Sequence, residues 1–201
     1  MNETTQIGYI GESVTRLEDQ RFLTGTGEFV DDVSLPGMVH MAILRSPQAH
    51  GWIRAIDLSA AREMPGVIDA FAAADIEMAL PEIPLRLAPF KGFERFLQKP
   101  LAVDKVRYVG EPVAIVIAEN RYLAEDALAA IIVDIETLPA VTTLDQAQTG
   151  DVLLHDAAGE NVGAAYPVGR GDIDAAFKDA PYTRHERFVT NRHAACPLET
   201  R

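Results

Sequence analysis

A mixed α+β fold is what this sequence predicts, and three adjacent observations predict it. Residues 113–118 (VAIVIA) form an uninterrupted apolar run rich in β-branched side chains, too short for an ordinary helix and suited to a strand buried on both faces. Such a strand needs cover on two sides. Directly after it, Leu123, Ala124, Ala127, Leu128 and Ile131 recur at helical spacing while Arg121, Glu125 and Asp126 take the opposite face. From Ile131 the period falls to two, with Ile131, Val133 and Ile135 alternating against Ile132, Asp134 and Glu136. Strand, amphipathic helix and half-polar strand together make a unit able to start a core.

Residues 1–20 carry glycines and polar residues without a long apolar period, which predicts an extended arm. In RFLTGTGEFVDD, Gly25 and Gly27 sit two apart, but no strand precedes them and no helix pattern follows. A dinucleotide-binding loop is therefore rejected in favour of a turn, and Asp31 and Asp32 read as loop residues. Residues 38–45 (MVHMAILR) alternate as a strand that stops at Ser46-Pro47. Ser46 lies between His40 and His50, but no nucleophile elbow surrounds it, so a serine hydrolase is not supported. Residues 52–58 alternate again, Ser59 is placed to cap a short helix closed by Pro65-Gly66, and residues 67–71 read as another strand, after which Asp75 is placed to cap a helical turn.

Between residues 80 and 100 repeated prolines break every period, predicting a long loop whose phenylalanines pack on the sheet or on a partner. Gly110 and Pro112 then predict a sharp entry into the strand at 113. Glu111, in that entry, reads as a turn carboxylate accepting backbone N–H groups; as a general base it has no local histidine. Asn120 is placed to cap a helix of about three turns, and Pro139 ends the strand beyond it. A domain junction is expected near residues 148–161, then a helix capped by Asp172 and a strand over residues 182–190. His185, His193, Cys196 and Glu199 crowd the last segment, but their spacing matches no standard zinc pattern.

Composition bounds the function. The chain has 201 residues, 48% hydrophobic and 24% charged, an ordinary globular balance with length enough for a real core. Its net charge of -12 repels a nucleic-acid backbone and an anionic bilayer alike. The single cysteine forbids an intrachain disulfide, a four-thiolate zinc site or an iron–sulfur cluster within the chain. With no basic leader region and no apolar run near ~18 residues, the expectation is a cytoplasmic protein binding neither nucleic acid nor membrane.

A series of short motifs, in order along the chain, resembles one family. They are residues 16–27 (RLEDQRFLTGTG), Leu44-Arg45-Ser46-Pro47 with Ala49-His50, Pro65-Gly66-Val67, Pro100-Leu101-Ala102, Val109-Gly110-Glu111-Pro112-Val113-Ala114, Ala124-Glu125-Asp126-Ala127 and Leu138-Pro139-Ala140-Val141. Gly171-Asp172 with Ala176-Phe177, and the closing Leu198-Glu199-Thr200-Arg201, extend the series. Together they resemble the N-terminal part of the molybdenum-binding large subunit of the xanthine dehydrogenase, aldehyde oxidase and aerobic carbon monoxide dehydrogenase family. Where the bacterial branch often ends in Met-Glu-Pro-Arg, Leu198 and Thr200 depart, which leaves the substrate open.

The resemblance implies an α+β chain with an arm at 1–20, an α/β hammerhead domain at 21–147, and at 148–201 a linker and the first elements of a truncated molybdenum-cofactor-binding domain. It implies an oxidoreductase that hydroxylates through a molybdenum–pterin cofactor, with iron–sulfur clusters and FAD on partner subunits, and with the remainder of the large subunit as a further partner. The family's pterin loop, glutamine–glycine cofactor contact and catalytic glutamate have no counterpart in this sequence, so no catalytic, cofactor-binding or metal residue is assigned. Structural or interfacial roles are expected for Arg45, His50, Gly110, Glu111, Glu199 and Arg201. A stand-alone assembly module that kept the fold without the chemistry is the alternative expectation.

Overall fold

The computed structural model describes residues 9–76, 80–85, 91–190 and 194–196. Two compact units emerge, one from Met38–Thr183 and one from Met1–Gly37 with Arg184–Arg201. The larger is built on two three-stranded antiparallel sheets.

Its strands are β1 (His40–Arg45), β2 (Gly51–Asp57), β3 (Val67–Ala72), β4 (Lys105–Val106), β5 (Pro112–Ala118) and β6 (Ile132–Thr137). One sheet runs β1-β5-β3 and the other β4-β2-β6. The two strand–helix–strand units of the sequence interlock: β2 and β6 pair in one sheet, while β3 and β5 pair in the other. Each unit therefore spans both sheets. The short helix between β2 and β3 is Ser59–Arg62, and the one between β5 and β6 is Arg121–Leu128.

β5 takes the central place that its apolar run predicts. On one face, Ala114 and Val116 pack with Leu58, Ala61, Ala70, Ala127 and Ile131, and Val116 is fully inaccessible. Nearer the other sheet, Val113, Ala102 and Val106 form a second cluster, and Ile56 and Val133 touch both. Close strand approach fixes Gly51 in β2, because an added Cβ would meet Ile135 at 2.5 Å and the Glu136 carbonyl oxygen at 2.8 Å.

Helix starts follow local chemistry, with corrections. Asn120 caps its helix by accepting from the Leu123 amide at 3.0 Å, as predicted, but the helix has 8 residues, about two turns rather than three. Ser59 does not cap the preceding one: its amide donates to the Asp57 carboxylate at 2.9 Å, a bond that holds the Asp57 carboxyl below its ordinary range. Asp75 caps backward from the end of its turn, accepting from the Ala72 amide at 2.8 Å while pairing with Arg62.

An unforeseen helix at Leu144–Thr149, which overlaps only the start of the stretch read as a junction, is begun by a reciprocal Thr143–Gln146 capping box and closed by Gly150. The aromatic loop also differs from expectation. Phe93 and Phe96 lie 6.0 Å apart, and Phe96 meets the edge of His155 at 5.5 Å, so they pack on the 155–163 stretch rather than on the sheet. Asp172 caps Ile173–Asp179 as predicted. Residues 182–190 form no strand and are exposed throughout, since alternation makes a strand only when another strand accepts its ladder.

In the smaller unit, Asp19–Leu23 is a short helix, and Phe22 stacks on Phe29 at 5.6 Å. Asp31 and Asp32 fall in a 3-10 turn, Asp32 accepting from the Phe29 amide at 3.0 Å. Gly25 occupies a turn, and no phosphate-binding helix follows.

Candidate functional site

The end of β1 and the entry to β5 form one stapled turn. Gly110 stands at a φ of 92°, open to glycine and strained for other residues. Its amide donates to the Ser46 carbonyl at 2.8 Å, and the Ser46 amide returns a bond to the Glu111 carbonyl at 2.8 Å. From β1, the Arg45 guanidinium donates to the Gly110 carbonyl at 2.9 Å. Arg45, Gly110 and Glu111, three of the six residues singled out from the sequence, are thus brought together. The Ser46 hydroxyl is used within its own turn, donating to the Gln48 carbonyl at 2.9 Å and accepting from the Gln48 amide at 3.0 Å. That leaves it no nucleophilic role.

Glu111 is 5% exposed and accepts from the Arg107 amide, the turn role expected of it. Burial pushes its carboxyl above the ordinary glutamate value, against the opposing Arg107 amide and guanidinium. It lines a 230 Å³ cavity with Glu82, Lys99, Asp104, Arg107 and His155. His155 arrives from 44 positions along the chain, which no local pattern reveals; burial, and then the charges of Arg107 and Lys105, push its imidazole below the ordinary value. Both groups are biased toward their neutral forms. They offer polar contact to whatever enters, and no nucleophile stands between them.

His50 is 2% exposed and works elsewhere. Its Nδ1 lies 2.8 Å from the Pro139 carbonyl, which can only accept, so the ring proton sits on Nδ1. Its own carbonyl accepts from the Leu138 amide at 2.9 Å. The ring thereby fixes the exit of β6, while its buried Nε2 finds no partner among the described residues. Glu199 and Arg201 lie outside the described residues, as does His193.

The sequence reading missed Lys105. It is 1% exposed, with Nζ 3.1 Å from the Leu153 carbonyl, 2.5 Å from Asp156 and 4.9 Å from the centre of the Trp52 ring. Arg107 donates to the Leu154 carbonyl at 2.9 Å, and Arg95 to the Ala158 carbonyl at 3.0 Å. Asn161 closes the same loop, accepting from the Leu154 amide at 3.0 Å and donating to the Val152 carbonyl at 2.7 Å. The stretch read as a linker is therefore held by cations from the far side of a long loop. Nothing local marks Lys105, since a lysine beside Val103 and Val106 reads as solvated.

Among the described residues no group of three or more His, Cys, Asp or Glu side chains could hold a metal ion, and Cys196 is exposed. No helix among the described residues is long and apolar enough to cross a membrane.

Comparison with known proteins gives a consistent picture. The family profile "Aldehyde oxidase and xanthine dehydrogenase, a/b hammerhead domain" matches residues 24–139. The 6-hydroxypseudooxynicotine dehydrogenase complex subunit gamma of Paenarthrobacter nicotinovorans is 40% identical over 209 residues, covering 100% of this chain and 25% of that protein. The carbon monoxide dehydrogenase large chain of Hydrogenophaga pseudoflava is 40% identical over 197 residues, covering 91% of this chain and 24% of that one. Among solved structures, quinoline 2-oxidoreductase from Pseudomonas putida 86 matches with a TM-score of 0.59 and 39% identity, over 73% of this chain and 19% of that one. The chain spans about a quarter of the length of these two curated relatives.

Proposed function

We propose that this chain, which belongs to the aldehyde oxidase and xanthine dehydrogenase family by its a/b hammerhead domain, serves as the hammerhead portion of the large subunit of a molybdenum hydroxylase. The observation that carries this reading is the match along nearly the whole chain to one quarter of such large subunits. In this reading the chain is scaffold and interface. The hydroxylation belongs to the molybdenum–pterin cofactor, with iron–sulfur clusters and FAD on partner subunits receiving the electrons. Residues 1–20 are then an arm, 21–147 the hammerhead domain, and 148–201 the approach to the cofactor-binding domain.

The site residues take matching roles. Arg45, Gly110 and Glu111 set the turn that feeds the central strand, and His50 fixes the exit of β6. Glu199 and Arg201 are assigned to contact with the cofactor-binding domain. No reaction step passes through any of these side chains.

A graft tests the reading. This chain replaces the matching quarter of the Paenarthrobacter subunit gamma, and the chimera is produced with its partner subunits. The expected result is an assembled complex that retains molybdenum at the parent's stoichiometry. A chimera that stays unassembled, while the 201-residue chain folds by itself, overturns the proposal.

A further inference from the structure

The run at 113–118 requires cover on two faces, and among the described residues the β1-β5-β3 sheet is covered on one. Register shows what lies on the other. Ile43, Ile115 and Phe71 stand in one cross-strand row, and Met41 and Ile117 in the next, with Val39 continuing β1 on the same side. Met41 is 60% exposed and Val39 49% exposed, and the other four are half-buried. Asp69, the one charged neighbour in register with Ile117, is already paired with Arg62 at 3.1 Å. β6 provides an internal contrast, because it turns Asp134 and Glu136 to solvent opposite half-buried Val133 and Ile135. A water-facing antiparallel sheet alternates in that way, and the outer face of β5 does not.

We infer that this outer face is the seat of an apolar segment from the remainder of the large subunit. The inference rests on the function proposed above. Two observations favour that occupant over a second copy of the chain. Identical copies each carry a net charge of -12 and repel one another. Three strands and two to three rows present roughly 200 Å² at ordinary sheet spacings, against the ~800 Å² per partner of a free-standing complex. A contact of that size holds when its partner is tethered and its effective concentration is high. A large subunit like the relative whose length this chain matches over only 25% supplies such a tether.

Met41 supplies the test, because methionine oxidation follows exposure. The isolated chain and the chimera are treated with hydrogen peroxide, and sulfoxide at Met41 is followed by peptide mass spectrometry. Expected is ready oxidation in the isolated chain and slowing by about tenfold or more in the assembled chimera. Met41→Lys, at an exposed edge-strand position, is expected to leave the isolated chain's unfolding midpoint in place and to make the chimera sensitive to limited proteolysis. Equal oxidation of Met41 in isolated chain and assembled chimera overturns this inference and leaves the large-subunit reading standing. Failure of the chimera to assemble removes both. Protection of Met41 in the isolated chain that grows with its concentration identifies a second copy as the occupant and also overturns the inference.

Discussion

The β5–helix–β6 unit and the loop pair 91–107 with 150–163 belong to the same compact unit and are held by different physics. In the first, Ala114, Val116, Ala127 and Ile131 bury apolar side chains against one another and against Leu58, Ala61 and Ala70, and the backbone ladders of β5 to β1 and β3 do the rest. In the second, Leu101, Ala102, Val106 and Ala158 are buried, and charged side chains add to that packing. Lys105, Arg107 and Arg95 reach across 47 to 63 positions to donate to main-chain carbonyls. Apolar order of that kind in the first is shared among many side chains. Long-range cation-to-carbonyl order depends on single side chains, each carrying a desolvation cost that its bonds must offset.

The contrast is broken most severely at Val116. Val116→Asp places an unpaired charge where exposure is 0%, and should cost about 4 kcal/mol or more. Equilibrium urea unfolding checks it; an unchanged midpoint would mean that β5 is not the core strand.

Next in size is Lys105. Lys105→Ala removes a buried stem, two hydrogen bonds and the contact with Trp52, with an expected loss of roughly 2–3 kcal/mol. Asp156 is 58% exposed on its side chain, so solvent screens its share. Lys105→Met keeps the volume and should cost less than Lys105→Ala. Hydrogen exchange should quicken over residues 150–163 in both variants while β5 stays protected. Uniform quickening would show that the two regions open together.

Asn120→Ala should cost about 1 kcal/mol, the usual worth of such a cap, and its effect should be confined to the helix it starts. Thermal unfolding with exchange at Leu123 and Ala124 measures it.

The smallest effect lies at Glu111. Because burial raises its folded-state pKa, the folded chain binds that proton more tightly than the unfolded chain. The associated stability is therefore lost as pH rises from the unfolded value through the folded one. Glu111→Gln keeps an acceptor for the Arg107 amide without a charge. It should be at least as stable as the parent at neutral pH, with a flatter pH slope above the carboxylate range. A stability profile parallel to the parent's would remove burial as the dominant influence on Glu111.

Where neighbours in sequence are neighbours in space, the residues were legible. Val113 to Ala118, the Asn120 cap, the alternation in β6 and the turn at Gly110 all follow from local period and backbone geometry, as does the turn role of Glu111. The helix at Leu144–Thr149 was missed, although Thr143, Gln146 and Gly150 carry its capping signals. Strand periodicity at 182–190 misled, because two-residue alternation states a capacity for pairing and does not provide the partner.

By itself the sequence determined the central strand, the strand–helix–strand units and, through motifs spread along the chain, the family. Those features depend on interactions within a few residues or on residue identity alone. Only the tertiary structure decided that the two units interlock across two sheets, that His155 shares a cavity with Glu111, and that Lys105 is deeply buried. Each of these joins residues about 40 or more positions apart, and the burial or charge environment of one partner exists only once the chain has brought the other alongside.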